Sequence, residues 1–339
     1  MKKITAKVPG KIILSGEHAV VYGKPAIATA INRFAATTIT PQIEPKIFFY
    51  LPDFNYQAIY SMQELHTLKN KLLQKYQTFI DKKLDVSEIL QKPIELIQFT
   101  LINFLDHFKL KIENGLQIEI NSNIPIGCGF GSSAAVILSI IGALANYFEI
   151  NLTEDEYFKI AQSCEKLQHG YPSGIDAQTC LHGGCVYFQQ GSIKPCNITN
   201  ELPMFIVNTG TPRVSTGECV TTVAKKFQHS EIWNKFSTIT NSLFDVLVAN
   251  KMGALQKLIR KNHRLLVEIG VVPARVQNFI TDVEQLNGAA KISGAGSVAG
   301  DNAGIVLVAF DIKAVQDICA RYNYELIPVQ FETRGLRVV

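Results

Sequence analysis

The chemistry open to this sequence starts with a loop, GCGFGSSAAV at 127–136. Bare glycine backbone can approach an anion with no Cβ in the way. A strand, a glycine turn and a helix in succession present backbone N–H groups and a helix N-terminus to a phosphate. Gly127, Gly129 and Gly131 follow the spacing G-x-G-x-G, with Ser132 where a dinucleotide fingerprint has its third glycine. The loop ends in GSS and not in the GK[ST] of a P-loop, so it is neither of those motifs. Ser133 or Ser132 could ligate a magnesium that bridges phosphates, or could simply cap the helix.

Two carboxylates stand eleven residues apart in EKLQHGYPSGID. Glu165 falls inside the apolar arc of its helix, among Tyr157, Phe158, Ile160, Ala161, Cys164 and Leu167, where a carboxylate is costly unless paired or bound to a cation. Asp176 heads a short helix after the turn at 172–174. It suits an N-cap first, and a general base at the end of a rigid turn second. Lys11, in VPGKIILSGEHAVVYG, reads on its own as a lysine on the wet face of a strand beside Lys7. Glu17 and His18 follow a Ser-Gly turn and could be ordinary surface residues. A second glycine turn, SGAGSVAGDNAG at 293–304, could bring backbone close to a ligand or could be a plain loop.

The elements that must hold these residues follow from periodicity. Residues 4–14, 26–40 and 45–51 read as strands, and 61–84 and 86–108 as helices. Alternating Leu116, Ile118 and Ile120 form a strand leading into the glycine loop, and a helix of about 132–148 follows. Thr153 and Glu156 form a capping box for a helix that runs to about 168. A polar, turn-rich stretch at 189–203 is the best boundary, which gives domains 1–200 and 201–339. Beyond it come a strand at 204–208, helices between 217 and 286, strand 305–310, helix 312–322 and strand 324–330. This is a mixed α+β chain in two lobes.

Composition narrows the class. The 339 residues are 47% apolar and 18% charged, as in a globular protein with room for two domains. A net charge of +4 with no basic run gives no reason to expect nucleic acid as a partner. Seven cysteines without C-x-x-C spacing suggest neither a disulfide framework nor a cysteine metal site. No charge occurs from Asn121 to Phe148, but Pro125 and the glycines leave only about 17 helical residues, at the lower edge of a membrane span. A buried helix, no membrane partner and a cytoplasmic protein are expected.

Taken together, PGKIILSGEHAVVYGKPAIATAI (9–31), PIGCGFGSSAA (125–135) and KISGAGSVAGDNAG (291–304) resemble, in order, the three motifs of the GHMP small-molecule kinases. The GEHAVVYG core is most similar to the mevalonate-specific members; EKLQHGYPSGID and NHRLLVEIGV (262–271) agree. The resemblance implies a two-lobed fold, with an N-terminal lobe like ribosomal protein S5 domain 2 and a ferredoxin-like C-terminal lobe. It implies ATP-dependent phosphorylation of the 5-hydroxyl of mevalonate in isoprenoid precursor synthesis. ATP phosphates would lie on Gly127, Gly129, Gly131, Ser132 and Ser133, with Mg²⁺ on Ser133 and Glu165. Asp176 would be the base with Lys11 beside it. Glu17, His18 and Ser215 or Thr216 would lie near the substrate, and Gly294, Ala295 and Gly296 would form the third motif.

The third motif departs from the family's usual GAGGGG: Ser297, Val298 and Ala299 carry side chains there, and Asp301 adds a charge. That bears on substrate fit and on feedback inhibition by isoprenoid diphosphates, which some members show. Homodimerisation stays open. Alkylation of Cys128, inside the phosphate loop, is expected to inhibit, with ATP protecting. The alternatives within this fold are a kinase for phosphomevalonate or a related alcohol, and a nucleotide- or metabolite-binding regulator without chemistry.

Overall fold

The computed structural model of the protein describes residues 3–196, 204–249 and 251–339. The expected boundary between residues 200 and 201 lies outside the described residues. The chain opens with β1 (Ile4–Ser15), β2 (Ala26–Gln42), β3 (Ile47–Leu51) and β4 (Tyr56–Tyr60). Helices α1 (Met62–Ile80) and α2 (Pro93–His107) then lead to β5 (Gly115–Ser122). Next come α3 (Ser132–Tyr147), α4 (Glu154–His169), α5 (Ile175–His182), β6 (Cys185–Gln189) and β7 (Ser192–Cys196). The second part holds β8 (Met204–Asn208), α6 (Thr216–Phe227), α7 (Ile232–Val248), α8 (Met252–Glu268) and α9 (Ala274–Gln285). It closes with β9 (Ala289–Ser293), β10 (Ile305–Ala309), α10 (Ile312–Tyr322), β11 (Glu325–Ile327) and β12 (Arg337–Val338).

Two sheets organise the molecule. In the first, the order β12-β1-β2-β5-β3-β4 is built on the long β2, which pairs along one edge with β1. Its other edge is divided: residues 26–29 pair with β6 and residues 35–42 with β5. The second sheet runs β11-β8-β10-β9, all antiparallel. Numbered within that lobe, the order is 4-1-3-2 with helices in the two crossovers, the ferredoxin-like split βαβ arrangement. The end of the chain leaves this lobe, and β12 pairs with β1 of the first sheet.

The charge-free stretch around 132–147 is α3, whose apolar residues are buried in the first core against β1 and β2. Among the described residues no helix is long and apolar enough to cross a membrane. The helix expected at 61–84 stops at Ile80, and that expected at 86–108 starts at Pro93, where the ring presets φ at the first helical position. Strand 324–330 shortens to 325–327 because Pro328 has no N–H to give. The β3–β4 hairpin brings in a strand, YQAIY, that the sequence reading did not isolate.

Candidate active site

Lys11 lies in the middle of β1, yet it is 2% exposed and not on a wet face. Its Nζ donates to the carbonyl of Gly129 at 3.0 Å and pairs with Asp176 Oδ1 at 3.0 Å. Its backbone N–H donates to Phe130 O at 2.8 Å. The stem crosses Gly131: a Cβ on that residue would stand 2.9 Å from Lys11 Cγ and Cε. Gly129 is as tightly placed, since its Cβ would meet Ser293 O at 2.9 Å. Glycine in this loop therefore admits the lysine stem on one side and the third motif on the other, besides leaving backbone free for an anion.

Neither serine caps α3. Gly131 is the N-cap, with φ 73°, and no side chain caps the end. No acidic residue occupies the first turn, so its N–H groups and the positive end of the dipole are uncompensated. Ser132 and Ser133 are the first two helical residues, and Ser133 Oγ lies 3.2 Å from His169 Nε2. His169 is the last residue of α4, one turn beyond Glu165. Burial lowers the pKa of its imidazole; Asp176 opposes that shift and Lys11 adds to it.

Glu165 is 1% exposed and its Oε1 has no partner. Burial first, then the charge of Asp176, push its carboxyl well above the usual carboxylate range, while Lys11 pulls it down. An orphaned buried carboxylate oxygen, with the charge of a second carboxylate, Asp176, acting on it, fits a hard cation. Among the described residues no group of three or more His, Cys, Asp or Glu side chains forms a metal cage. Asp176 is the second residue of α5 and not its cap; Gly174 holds that place. It is 28% exposed beside the 2% exposed lysine, so the ion pair has one open end.

Glu17 and His18 are also buried, at 1% and 5% exposure. Glu17 pairs with Lys291 of β9 and accepts from Asn262 Nδ2 at 3.2 Å. His18 Nε2 meets Ala295 O at 2.8 Å. Gly294 lies against Gly129, whose Cα would stand 3.5 Å from a Cβ on Gly294, and Gly296 fits under Val271 O. Ser297 turns inward: its Oγ donates to Ala299 O at 2.6 Å, while Val298 packs on the second core. Asp301 is exposed.

Ser215 is the N-cap of α6, its hydroxyl engaged with Glu218 at 2.7 Å. Ser215 and Thr216 are both exposed and outside the buried cluster. Gly217 faces Val86, which also borders Gly170, so α6 begins beside the turn between α4 and α5. Lys291, Asn262, Ser293 and His169 were not singled out from sequence. The signal for Lys291 was available: one charge in the otherwise uncharged strand AAKIS, buried at every position.

The family model for the N-terminal domain of GHMP kinases matches residues 95–184. A mevalonate kinase of Thermococcus sibiricus is 30% identical over 308 residues, which cover 87% of this chain and 86% of that one. One of Pyrococcus furiosus is 30% identical over 309 residues, with 87% and 86% covered. The crystal structure of Methanococcus jannaschii mevalonate kinase aligns with a TM-score of 0.78 at 24% identity, covering 97% of this chain and 98% of that one.

Proposed function

The chain belongs to the GHMP kinase family, and from that premise we propose that it transfers the γ-phosphoryl group of ATP to the 5-hydroxyl of mevalonate. One observation carries the mechanism: the Lys11–Asp176 pair, 3.0 Å apart, stands against the glycine loop with its carboxylate end open. Phosphoryl transfer asks little covalent chemistry of a protein, so positioning and charge neutralisation do most of the work.

In this reading Asp176 accepts the hydroxyl proton as the oxygen attacks phosphorus. Lys11, fixed by Gly129 O and Asp176, lowers the pKa of that hydroxyl and offsets charge on the transferring group. Backbone of Gly127, Gly129 and Gly131, with Ser132, Ser133 and the uncapped start of α3, receives the ATP phosphates. Ser133 and Glu165 would hold Mg²⁺, which would supply charge neutralisation to the phosphates. Glu17 and His18 line the substrate end with Ala295, and Thr216, whose hydroxyl is not the α6 cap, lies nearer that role than Ser215.

Residues 1–200 form the domain of loop, base and metal, and residues 201–339 the domain of the third motif. Inhibition by isoprenoid diphosphates, a homodimer and a cytoplasmic location complete the proposal. All seven cysteines are unpaired, which supports a reducing compartment.

The test is ADP release with Mg-ATP and, separately, mevalonate, phosphomevalonate, galactose and homoserine. Turnover on mevalonate alone is expected. Turnover on another of the alcohols would leave the mechanism standing and overturn the substrate. ATP binding without turnover on any of them would make the protein a regulator.

A further inference from the structure

The mechanism proposed above gives Lys291 no role, yet it is fully buried and makes three polar contacts. Its Nζ pairs with Glu17 Oε1 and donates to Ile292 O at 2.8 Å and Ile13 O at 3.3 Å. Glu17 Oε2 accepts from Asn262 Nδ2, so both oxygens of this buried carboxylate are held from the second lobe. Buried, paired charges of this kind seldom add net stability over an apolar pair of the same shape, so their presence here calls for another explanation.

The backbone that Glu17 carries supplies one. His18 has φ 57° and ψ −45°, and Ala19 N–H donates to Glu17 O. That is the rare, strained form of γ-turn, with a β-carbon-bearing residue at its apex. Such a conformation persists only where its surroundings over-determine it. The constraints here are Lys291 and Asn262 on the residue before, and Ala295 O on the ring itself. A carbonyl can only accept, so His18 Nε2 carries the proton and Nδ1 of the neutral ring is an acceptor. Nδ1 is buried and has no partner. Only a donor can satisfy it, such as a hydroxyl on a bound ligand.

Resting on the function proposed above, we infer that Lys291 is a positioning residue. Through Glu17 it locks the strained turn that holds the His18 Nδ1 acceptor in place for a substrate hydroxyl. Asn262 supports the same clamp from α8. Lys291 touches neither ATP nor the reacting atoms, and its influence belongs in KM for mevalonate and not in KM for ATP.

A double-mutant cycle tests this with Lys291→Met, His18→Ala and the pair, using steady-state kinetics and mevalonate binding by calorimetry. Lys291→Met is expected to raise KM for mevalonate about tenfold or more, a loss within the usual range for coupled contacts, with KM for ATP within about twofold. In the His18→Ala background the same substitution should add almost nothing. Equal effects of Lys291→Met with and without His18 would overturn the proposal, as would a parallel loss of ATP affinity. Should Lys291→Met fail to fold, Asn262→Ala, which spares the charge pair, carries the same cycle with a smaller shift. Wild-type protein that neither binds nor turns over mevalonate would overturn the function proposed above and this inference with it. Wild-type turnover with additive variants would overturn the inference alone.

Discussion

Lys11 Nζ stands 3.0 Å from Asp176 Oδ1 and 3.0 Å from Gly129 O, so one buried ammonium joins β1, the glycine loop and α5. A general base held in this way gives its reaction about 10²–10⁴-fold, and an amide in its place cannot take the proton. Asp176→Asn keeps the shape and is expected to lower kcat by a factor in that range, with ATP affinity nearly unchanged. Steady-state kinetics with nucleotide titration checks it, and a variant retaining half of wild-type turnover would remove Asp176 from the role of base.

Glu165 illustrates a different balance. Its folded-state pKa is raised, first by burial and then by Asp176. A carboxylate shifted upward weakens the fold as pH rises from the unfolded value toward the folded one, because the unfolded chain ionises freely while the buried group keeps its proton. Glu165→Gln is therefore expected to raise Tm in the metal-free protein, by about 2–4 °C per kcal/mol recovered. The gain should be larger at pH 9 than at pH 5. The same variant should bind Mn²⁺ more weakly, read by electron paramagnetic resonance with ATP present. A lower Tm at pH 9 with cation affinity intact would contradict both halves.

How much of this could be read from the chain depends on how local each signal is. The strand, glycine turn and helix at 116–147 follow from periodicity and composition, and the resemblance of three motifs supplied the two-lobed fold. Lys11 alone was indistinguishable from a wet-face lysine, because the alternation of β1 cannot show that the glycine loop and α5 cover it. Asp176 looked like a cap because local rules favour one there, whereas a contact with Lys11 decides its place. Lys291 and Asn262 reach Glu17 across 274 and 245 residues of chain, and no window of sequence contains both partners. The carbonyl contact of His18 with Ala295 is equally non-local.

The expectation that alkylation at Cys128 inhibits needs an order of events. Cys128 is 6% exposed, and burial pushes its thiol up. Cys196 differs: a hydrogen bond from Cys185, its cross-strand partner, pulls its thiol down. Thiolate, not thiol, is the nucleophile. At 5% exposure Cys196 is as buried as Cys128, so thiolate fraction and not access sets the order: with one equivalent of iodoacetamide at neutral pH, Cys196 is expected to be modified first, with activity retained. Cys128 should follow slowly, faster at higher pH, and its modification should track the loss of turnover that ATP prevents. Peptide mapping by mass spectrometry against residual activity decides this, and early labelling of Cys128 would reverse the order.

His263 on α8 sets an acid limit to the fold. It is 2% exposed with Nδ1 unpartnered, and its pKa is pushed down to about 3 by burial, then by Arg264 and Lys291. In the unfolded chain it titrates near 6.5. Between those values the unfolded state binds the proton that the folded state refuses, so stability is complete above pH 6.5 and falls as pH drops. At about 1.4 kcal/mol per pH unit, the loss by pH 4.5 is about 2–3 kcal/mol from this residue. His18 and His169, also lowered by burial, add to the same slope. His263→Gln should flatten the dependence without removing it, as measured by urea unfolding at pH 7.5, 6 and 5. Identical slopes for variant and wild type would show that the acid sensitivity lies elsewhere.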